Sequence, residues 1–138
     1  MNIKYASDAN DFTVGGLNKL FESVGWDARQ DLTWKKILEK SGFLVGAFDG
    51  ECLVGFARTF DDGRMWVMIC DVLVHPDYRN RGIATEMMNR VKKWVADKDF
   101  RTCRLFADIS SDPGLVGFYE KFGFEQMDNA MRLKGLAF

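Results

Sequence analysis

One segment, which runs from an apolar stretch into a polar loop, holds residue types suited to binding a pyrophosphate. It covers residues 71–88 and reads DVLVHPDYRNRGIATEMM. Gly82 opens a run with helical spacing, and the free N–H groups at a helix start, together with the helix dipole, attract an anion. Arg79 and Arg81 can add charge-assisted hydrogen bonds, while Gly82 and the small Ala84 let a ligand approach the backbone. The segment therefore predicts a pyrophosphate-binding turn.

Two well-known phosphate-binding motifs do not occur in this segment. It contains neither the G-x-x-x-x-G-K-[ST] sequence of a P-loop nor the G-x-G-x-x-G turn of a dinucleotide-binding fold. On residue types alone, an ordinary strand–loop–helix joint with solvated arginines is an equally good interpretation. The neighbouring elements have to decide between the two.

The pattern around this segment predicts one α/β (α+β) domain over residues 1–138 with a mixed sheet and the element order β-α-α-β-β-β-α-β-α-β-β. Asp49-Gly50, between two β-rich runs, indicates a hairpin. Residues 65–74 are nearly all apolar, which is typical of a central strand covered on both faces. The remaining predicted strands cover 2–6, 101–109 and a closing hairpin over 124–127 and 130–133. The predicted helices cover 12–24, 33–40, Gly82 to about Lys98, and a segment that starts at Asp112-Pro113.

The composition is that of an ordinary globular protein and argues against several classes. Of the 138 residues, 47% are hydrophobic and 28% are charged, and the net charge is −1. Because nucleic-acid-binding domains carry a clear basic excess, no nucleic-acid partner is expected. No apolar run is long enough to cross a bilayer and the first residues lack the apolar region of a signal peptide, so a cytoplasmic protein without membrane contact is expected. Cys52, Cys70 and Cys103 are too widely spaced for a zinc site, and no metal is expected.

Two segments resemble signatures of the GNAT N-acetyltransferase superfamily. Residues 79–84, RNRGIA, match its R/Q-x-x-G-x-G/A motif, and Val74-His75-Pro76 matches the V-x-P pattern before it. Residues 117–125, GFYEKFGFE, are similar to the second signature, in which a helix with Phe-Tyr runs into Gly-Phe. Within the superfamily, the serotonin N-acetyltransferase branch of plants and its bacterial relatives looks similar in VGW (24–26), DVLV (71–74), LFAD (105–108) and FYEKFGFE.

The resemblance implies a mostly antiparallel central sheet flanked by about four helices, and an enzyme that transfers an acetyl group from acetyl-CoA to an amine. The strand with Leu73 and Val74 would splay from its neighbour and offer backbone groups to the pantetheine arm and the acetyl carbonyl. The implied cofactor-binding residues are Leu73, Val74, Arg79, Asn80, Arg81, Gly82, Ile83, Ala84 and Thr85. Where many members carry an asparagine that contacts the cofactor, this chain has Asp112, which reads as a helix N-cap.

Tyr119 matches the family's tyrosine near the cofactor sulfur, and this implies a catalytic role. A departing thiolate needs a proton or a hydrogen bond, which a tyrosine can donate at pH 7. The alternative is a core aromatic on an amphipathic helix.

The attacking amine must lose a proton, and Asp71 is the first candidate to accept it. It is the one acid in an otherwise apolar run, and a buried carboxylate must be paired, exposed in a groove or raised in pKa. A structural hydrogen bond is an equally good interpretation, an ordered water can also accept the proton, and His75 and Asp108 are weaker candidates. A direct attack within a ternary complex needs no covalent intermediate on Cys70 or Cys103.

The acceptor groove of this family is lined partly by the first two helices and the loop between them. The implied acceptor-binding residues are Trp26, Asp27, Arg29 and Glu22. An aromatic ring beside acidic side chains would suit a cationic aromatic amine. Trp26 as a plug for the core is the alternative. The sequence leaves open whether the acceptor is a small-molecule amine or a protein amino group. It also leaves open whether the protein forms a homodimer. Two competing hypotheses are a non-catalytic acyl-CoA-binding or regulatory module on the same fold and an unrelated α/β interaction domain.

Overall fold

Within residues 2–136 the fold is built from five strands and four α-helices. The computed structural model describes residues 2–136. The strands are β1 (Ile3–Ala6), β2 (Leu44–Asp49), β3 (Cys52–Asp61), β4 (Trp66–Val74) and β5 (Thr102–Leu105), and the helices are α1 (Val14–Ser23), α2 (Asp31–Lys40), α3 (Ile83–Asp97) and α4 (Gly114–Glu120). The chain divides into two compact units. The first ends at Ala107 and holds the sheet with α1 to α3, and the second begins at Asp108 and holds α4.

The sheet has the strand order β1-β2-β3-β4-β5. Its first three pairings are antiparallel, and β4 pairs with β5 in parallel. The Asp49↔Cys52 pair closes the β2–β3 hairpin, with Gly50 in the left-handed region at φ 61°. Helix α3 makes the crossover that a parallel pair requires. The predicted mixed, mostly antiparallel sheet with four helices is confirmed.

The two faces of the sheet are covered by different helices. On one face, α1 and α2 pack over β3 in a cluster centred on Phe21, Trp34 and Phe56, all at most 1% exposed. Successive strand residues point to opposite faces, so Gly55 faces the other side. There Ile83 and Met87 of α3 approach so closely that a Cβ on Gly55 would lie 3.0–3.2 Å from their side chains.

Helix α1 forms despite two glycines in its first turn. The hydroxyl of Thr13 accepts a hydrogen bond from the N–H of Gly16 at 3.0 Å. This N-cap compensates for the weak helix propensity of Gly15 and Gly16.

One element of the predicted fold is wrong. The closing hairpin over 124–127 and 130–133 does not form, since the chain after α4 has no strand within the described residues. The alternating side chains there bury too little for a strand, and Met131 and Leu133 are 100% and 76% exposed. The strand predicted over 65–74 lies between β3 and β5, and it buries Leu73 in the cluster under α1 and α2. Only its first residue departs from the prediction, since Trp66 is 53% exposed.

Candidate functional site

Helix α3 begins with an exposed and uncapped turn. Gly82 is its N-cap residue at φ 81°, and Asn80 also lies in the left-handed region at φ 62°. No side chain among the described residues caps this end. The first intrahelical bond runs from the N–H of Glu86 to the carbonyl of Gly82, so the N–H groups before Glu86 lack helical partners. A Cβ on Gly82 would meet open space.

The other predicted members of this turn occupy matching places. Arg79, Asn80, Arg81 and Thr85 are exposed, whereas Ile83 is buried against the sheet and Ala84 is half-buried. The Arg81 guanidinium lies 5.4 Å from the ring centre of Tyr78. The Tyr78 hydroxyl donates to Asp49 at 2.6 Å, and this hydrogen bond raises the pKa of Tyr78. The turn is thereby tied to the β2–β3 hairpin.

Strand β4 has an open edge beside this turn. Its pairing with β5 stops at Ile69↔Leu105, after which the N–H of Phe106 still donates to Ile69 at 3.0 Å. From Cys70 to Val74 the strand keeps only β3 as a neighbour within the described residues. The pairing of β4 with β5 thus ends where the predicted splay would begin.

Backbone alternation decides which groups point to the open edge. The N–H of His75 donates to Val54 of β3 at 2.8 Å. Because consecutive strand residues direct their polar groups to opposite edges, those of Val74 point away from β3 and those of Leu73 point towards it. Of the two residues predicted to meet a cofactor, Val74 has its N–H and C=O on the open edge, and Leu73 pairs with Phe56.

A β-bulge interrupts β4 at Asp71. Arg58 pairs with Cys70 and Phe56 pairs with Leu73, so one residue of β3 faces two residues of β4. Asp71 takes the left-handed conformation, at φ 53°. The bulge bends the strand where its open half begins.

The Asp71 carboxylate lies between two arginines. The Nε of Arg58 donates to Oδ2 at 2.5 Å, and the two terminal nitrogens of Arg29 donate to Oδ2 and Oδ1 at 3.1 and 3.3 Å. The Asp71 side chain is 13% exposed. Since both of its oxygens already accept charge-assisted hydrogen bonds, the geometry favours the structural interpretation of Asp71 over that of a base.

The loop between α1 and α2 places Arg29 against β4. Asn18 of α1 accepts from the N–H of Arg29 at 2.8 Å and donates to its carbonyl at 2.9 Å. Asn18 also accepts from the indole of Trp34 at 2.7 Å. The guanidinium lies 4.8 Å from the ring centres of both Phe21 and Trp34. Backbone and side chain of Arg29 are therefore both fixed.

The remaining predicted acceptor residues lie at the outer part of that loop. Trp26 is 42% exposed and packs edge-on against Phe21, with the ring centres 5.5 Å apart. Trp26 is therefore only partly buried in the core, and its ring is not fully available to line an acceptor groove. Asp27 and Glu22 are exposed. Within the described residues, the loop contributes a guanidinium, from Arg29, to the β4 bulge.

The two weaker base candidates are engaged in local structure. The Nδ1 atom of His75 accepts from the N–H of Asp77 at 3.1 Å and caps a short 3-10 turn, Pro76–Tyr78. Hydrogen bonds from Ser111 and Ser110 lower the pKa of Asp108. A carboxyl group with a lowered pKa is a poor proton acceptor.

Tyr119 is buried within the second unit. Its ring contacts Phe118 and Phe124 edge-on, with centres 5.0 and 6.3 Å apart. Burial raises the pKa of Tyr119 to about 12. The phenol therefore keeps its proton at neutral pH. Upstream, Asp112 accepts from the N–H of Gly114 at 3.1 Å. The N-cap position of α4 is Pro113, one residue after the predicted Asp112.

The thiols near the sheet are poor nucleophiles. Burial raises the pKa of Cys70 to about 11 and also raises that of Cys103. Only the thiolate attacks a thioester readily. Among the residues that the structure describes, no three His, Cys, Asp or Glu side chains are grouped so that they could hold a metal ion. Within residues 2–136, no helix is both long enough and apolar enough to span a bilayer.

Sequence reasoning missed two residues of this site. Arg58 is a single basic residue inside the apolar run of β3, the same signal that singled out Asp71 in β4. Asn18 adjoins the buried Leu17 of α1 and is a polar residue next to the apolar stripe of that helix. In both cases one polar residue among apolar ones was the available signal.

The family model for the GNAT acetyltransferase family matches residues 11–124. The match spans most of the chain, and it includes both the turn at Gly82 and the helix with Tyr119. This chain belongs to the GNAT acetyltransferase family.

Curated relatives agree with the family and with the predicted branch. The chain is 36% identical over 112 residues to an uncharacterized ycf52-like N-acetyltransferase of Prochlorococcus marinus, covering 78% of this chain and 60% of that protein. It is 31% identical over 129 residues to the chloroplastic serotonin N-acetyltransferase 2 of Oryza sativa, covering 91% and 62%. The chain thus spans about three-fifths of the length of these relatives. The predicted similarity to the plant-type serotonin N-acetyltransferases is confirmed.

Solved structures share the fold. A probable acetyltransferase from Staphylococcus aureus superposes with a TM-score of 0.82 at 23% identity, covering 96% of this chain and 99% of the other. A predicted acetyltransferase from Clostridium acetobutylicum, whose structure was determined with acetyl-CoA, superposes with a TM-score of 0.71 at 18% identity and 96% coverage of both chains. At these identities the likeness shows the fold alone.

Proposed function

We propose that this chain is an acetyl-CoA-dependent N-acetyltransferase that moves an acetyl group to an amine by direct attack within a ternary complex. The observation that carries the proposal is the uncapped, exposed start of α3 beside the open edge of β4. A single 1–138 domain with a cytoplasmic location is part of the same proposal.

The start of α3 fits the pyrophosphate of coenzyme A. Four N–H groups, from Gly82 to Thr85, have no partner in the helix, and the helix dipole adds to their attraction for an anion. The 15-residue length of α3 supports this dipole. The open space before Gly82 leaves room for the phosphates, and the exposed Arg79 can contribute charge.

The open half of β4 fits the pantetheine arm and the thioester. The N–H and C=O groups of Val74 are directed to an edge that β5 has left. Bound acetyl-CoA would supply an activated acyl carbon with a thiol as leaving group. The Val74 N–H can polarise a carbonyl oxygen at this edge.

The reaction releases one proton overall. The C–N bond forms as the C–S bond breaks, the ammonium form of the acceptor gives up two protons, and the departing thiolate takes up one. Because the Tyr119 phenol stays protonated at neutral pH, we assign it as the donor to the leaving sulfur, as the family resemblance implies. Since Asp71 is held by two guanidinium groups, we assign both protons lost by the amine to water, which returns one to Tyr119 and releases the other to solvent.

No acyl-enzyme intermediate is part of the proposal. The raised pKa values of Cys70 and Cys103 leave both thiols protonated at neutral pH, which supports direct attack by the amine.

The proposal is tested by calorimetric titration with acetyl-CoA and by following free thiol release with a panel of amines. The panel contains aromatic amines, polyamines, amino acids and peptides with free amino ends. We expect saturable binding of acetyl-CoA and thiol release that depends on the amine. Binding without turnover would instead identify a non-catalytic acyl-CoA-binding module, and absence of both would contradict the proposed function.

A further inference from the structure

We propose that Arg58 determines acceptor specificity by binding a carboxylate on the amine substrate. The inference rests on the proposed function, and it names the substrate class of the same site. It replaces the cationic amine that the sequence suggested with an acceptor that carries an anionic group.

The charge of the β4 bulge points to an anion. Two guanidinium groups, those of Arg29 and Arg58, face the single carboxylate of Asp71. The cluster therefore has a net charge of +1. An ammonium substrate without an anionic group would be repelled here, whereas a carboxylate would be attracted.

Arg58 is held by one nitrogen and has two further nitrogens that can donate hydrogen bonds to a ligand. It uses Nε for Asp71, and no acceptor within the described residues is bonded to its two terminal nitrogens. Its side chain is 16% exposed, so water and a small ligand can reach it. The planar fork of an arginine matches the geometry of a carboxylate. Arg29, in contrast, turns both terminal nitrogens to Asp71 and stacks on Phe21 and Trp34.

The position of Arg58 along the sheet sets the spacing within the acceptor. Its guanidinium lies at the level of Asp71, three residues before Val74, whose backbone groups are proposed to hold the thioester carbonyl. Three strand residues correspond to about 10 Å, and the side chains shorten this span. The acceptor is therefore an amine whose carboxylate lies several bonds away, as in an ω-amino acid or a short peptide.

The first experiment compares two acceptors that differ only in charge. With saturating acetyl-CoA, thiol release is measured for 6-aminohexanoate and for 6-aminohexanamide, an isostere in which an uncharged amide replaces the carboxylate. We expect kcat/KM to be about 10- to 100-fold higher for the acid, as a charge-assisted hydrogen bond in a partly buried site predicts. The difference should lie mainly in KM, because the carboxylate is bound remote from the reacting carbon.

Variants assign that preference to Arg58. We expect Arg58→Met to reduce the ratio of acid to amide to below about 3, and Arg58→Lys to give an intermediate ratio because the ammonium keeps the charge and loses the fork. Arg64→Met removes an exposed arginine from the β3–β4 turn and should keep the wild-type ratio. Acetyl-CoA titration of each variant shows that it is folded.

The outcomes separate this inference from the proposed function. Equal rates for acid and amide, or preference for the trication spermidine over both, would overturn the inference while thiol release still supports an acetyltransferase. An unchanged ratio in Arg58→Met would overturn it too. Absence of thiol release with every amine overturns the proposed function, and the inference with it.

Discussion

Asp71 meets two requirements of one position. The bulge needs a residue that tolerates a left-handed backbone, and aspartate does so more readily than most non-glycine residues. The same side chain then holds Arg29 and Arg58, which come from a loop and from the neighbouring strand. The ion pairs connect β4 to β3 and to the α1–α2 loop at the start of its open half.

A prediction for Tyr119 follows from its protonated, buried phenol. Tyr119→Phe should lower kcat by about 10²-fold or more, since a positioned acid contributes that much, while the acetyl-CoA Kd changes less than about twofold. Steady-state kinetics and calorimetry measure the two quantities.

A matched control for this variant is Tyr5→Phe. It removes a phenol from β1, where the Tyr5 ring stacks with Arg90, and should keep kcat. An unaltered kcat in Tyr119→Phe would remove Tyr119 from the mechanism.

At the residue scale, the sequence singled out the turn at Gly82 and the tyrosine at position 119. It did not predict which residues contact Asp71. The partners of Asp71 are 13 and 42 residues away in the chain. A lone acid in an apolar strand predicts that a partner exists, but spacing does not show which cation reaches it. That choice depends on strand register and on the path of the α1–α2 loop.

At the scale of elements, variants of the turn before α3 allow the effect on ligand binding to be distinguished from the effect of backbone strain. Gly82→Val should weaken acetyl-CoA binding by about tenfold or more, because a side chain would fill the space in front of the unpaired N–H groups. The positive φ would also destabilise the fold by about 1–2 kcal/mol. Calorimetry measures the affinity, and thermal denaturation measures the stability.

Gly50→Val provides the matched control. Gly50 also has a positive φ and open space around its Cβ position, but it lies in the β2–β3 turn. It should lose similar stability and keep the acetyl-CoA affinity. Equal affinities in the two variants would refute the role of the α3 start.

Element predictions succeeded where a local pattern had a partner to pack against. The Asp49-Gly50 turn and the long apolar face of α3 were sufficient for their elements. The alternation over 124–133 resembles a strand, yet its side chains are exposed in the structure. The residue pattern contained no information on whether an apolar layer would be available to cover it.

At the scale of the molecule, a buried thiol and a buried phenol make the stability of the fold depend on pH in the alkaline range. Burial raises the pKa of Cys70 from 9.0 to about 11 and that of Tyr119 from 10.0 to about 12. The unfolded chain therefore releases these protons at a lower pH than the folded chain does. The contribution of these two groups to stability is fully present below about pH 9 and is lost as the pH rises to about 12. We expect Tm to fall over that window in thermal denaturation.

Cysteine variants test this alkaline dependence. Cys70→Ala should remove the part of the fall that lies between about pH 9 and 11, because it removes the buried thiol. Cys52→Ala changes an exposed thiol and should leave the curve as it is. Identical curves for Cys70→Ala and the wild type would contradict the coupling.

The unequal edges of β4 also bear on how such a scaffold can diversify. Over Trp66–Ile69 the strand is paired with β5, and from Val67 it is also paired with β3, so substitutions there mainly affect folding. The last residues of β4 have no neighbour on the side of β5, so under the proposed function substitutions there would alter the binding of the acyl donor. One end of the strand could then change the acyl chain that is accepted while the other end maintains the sheet.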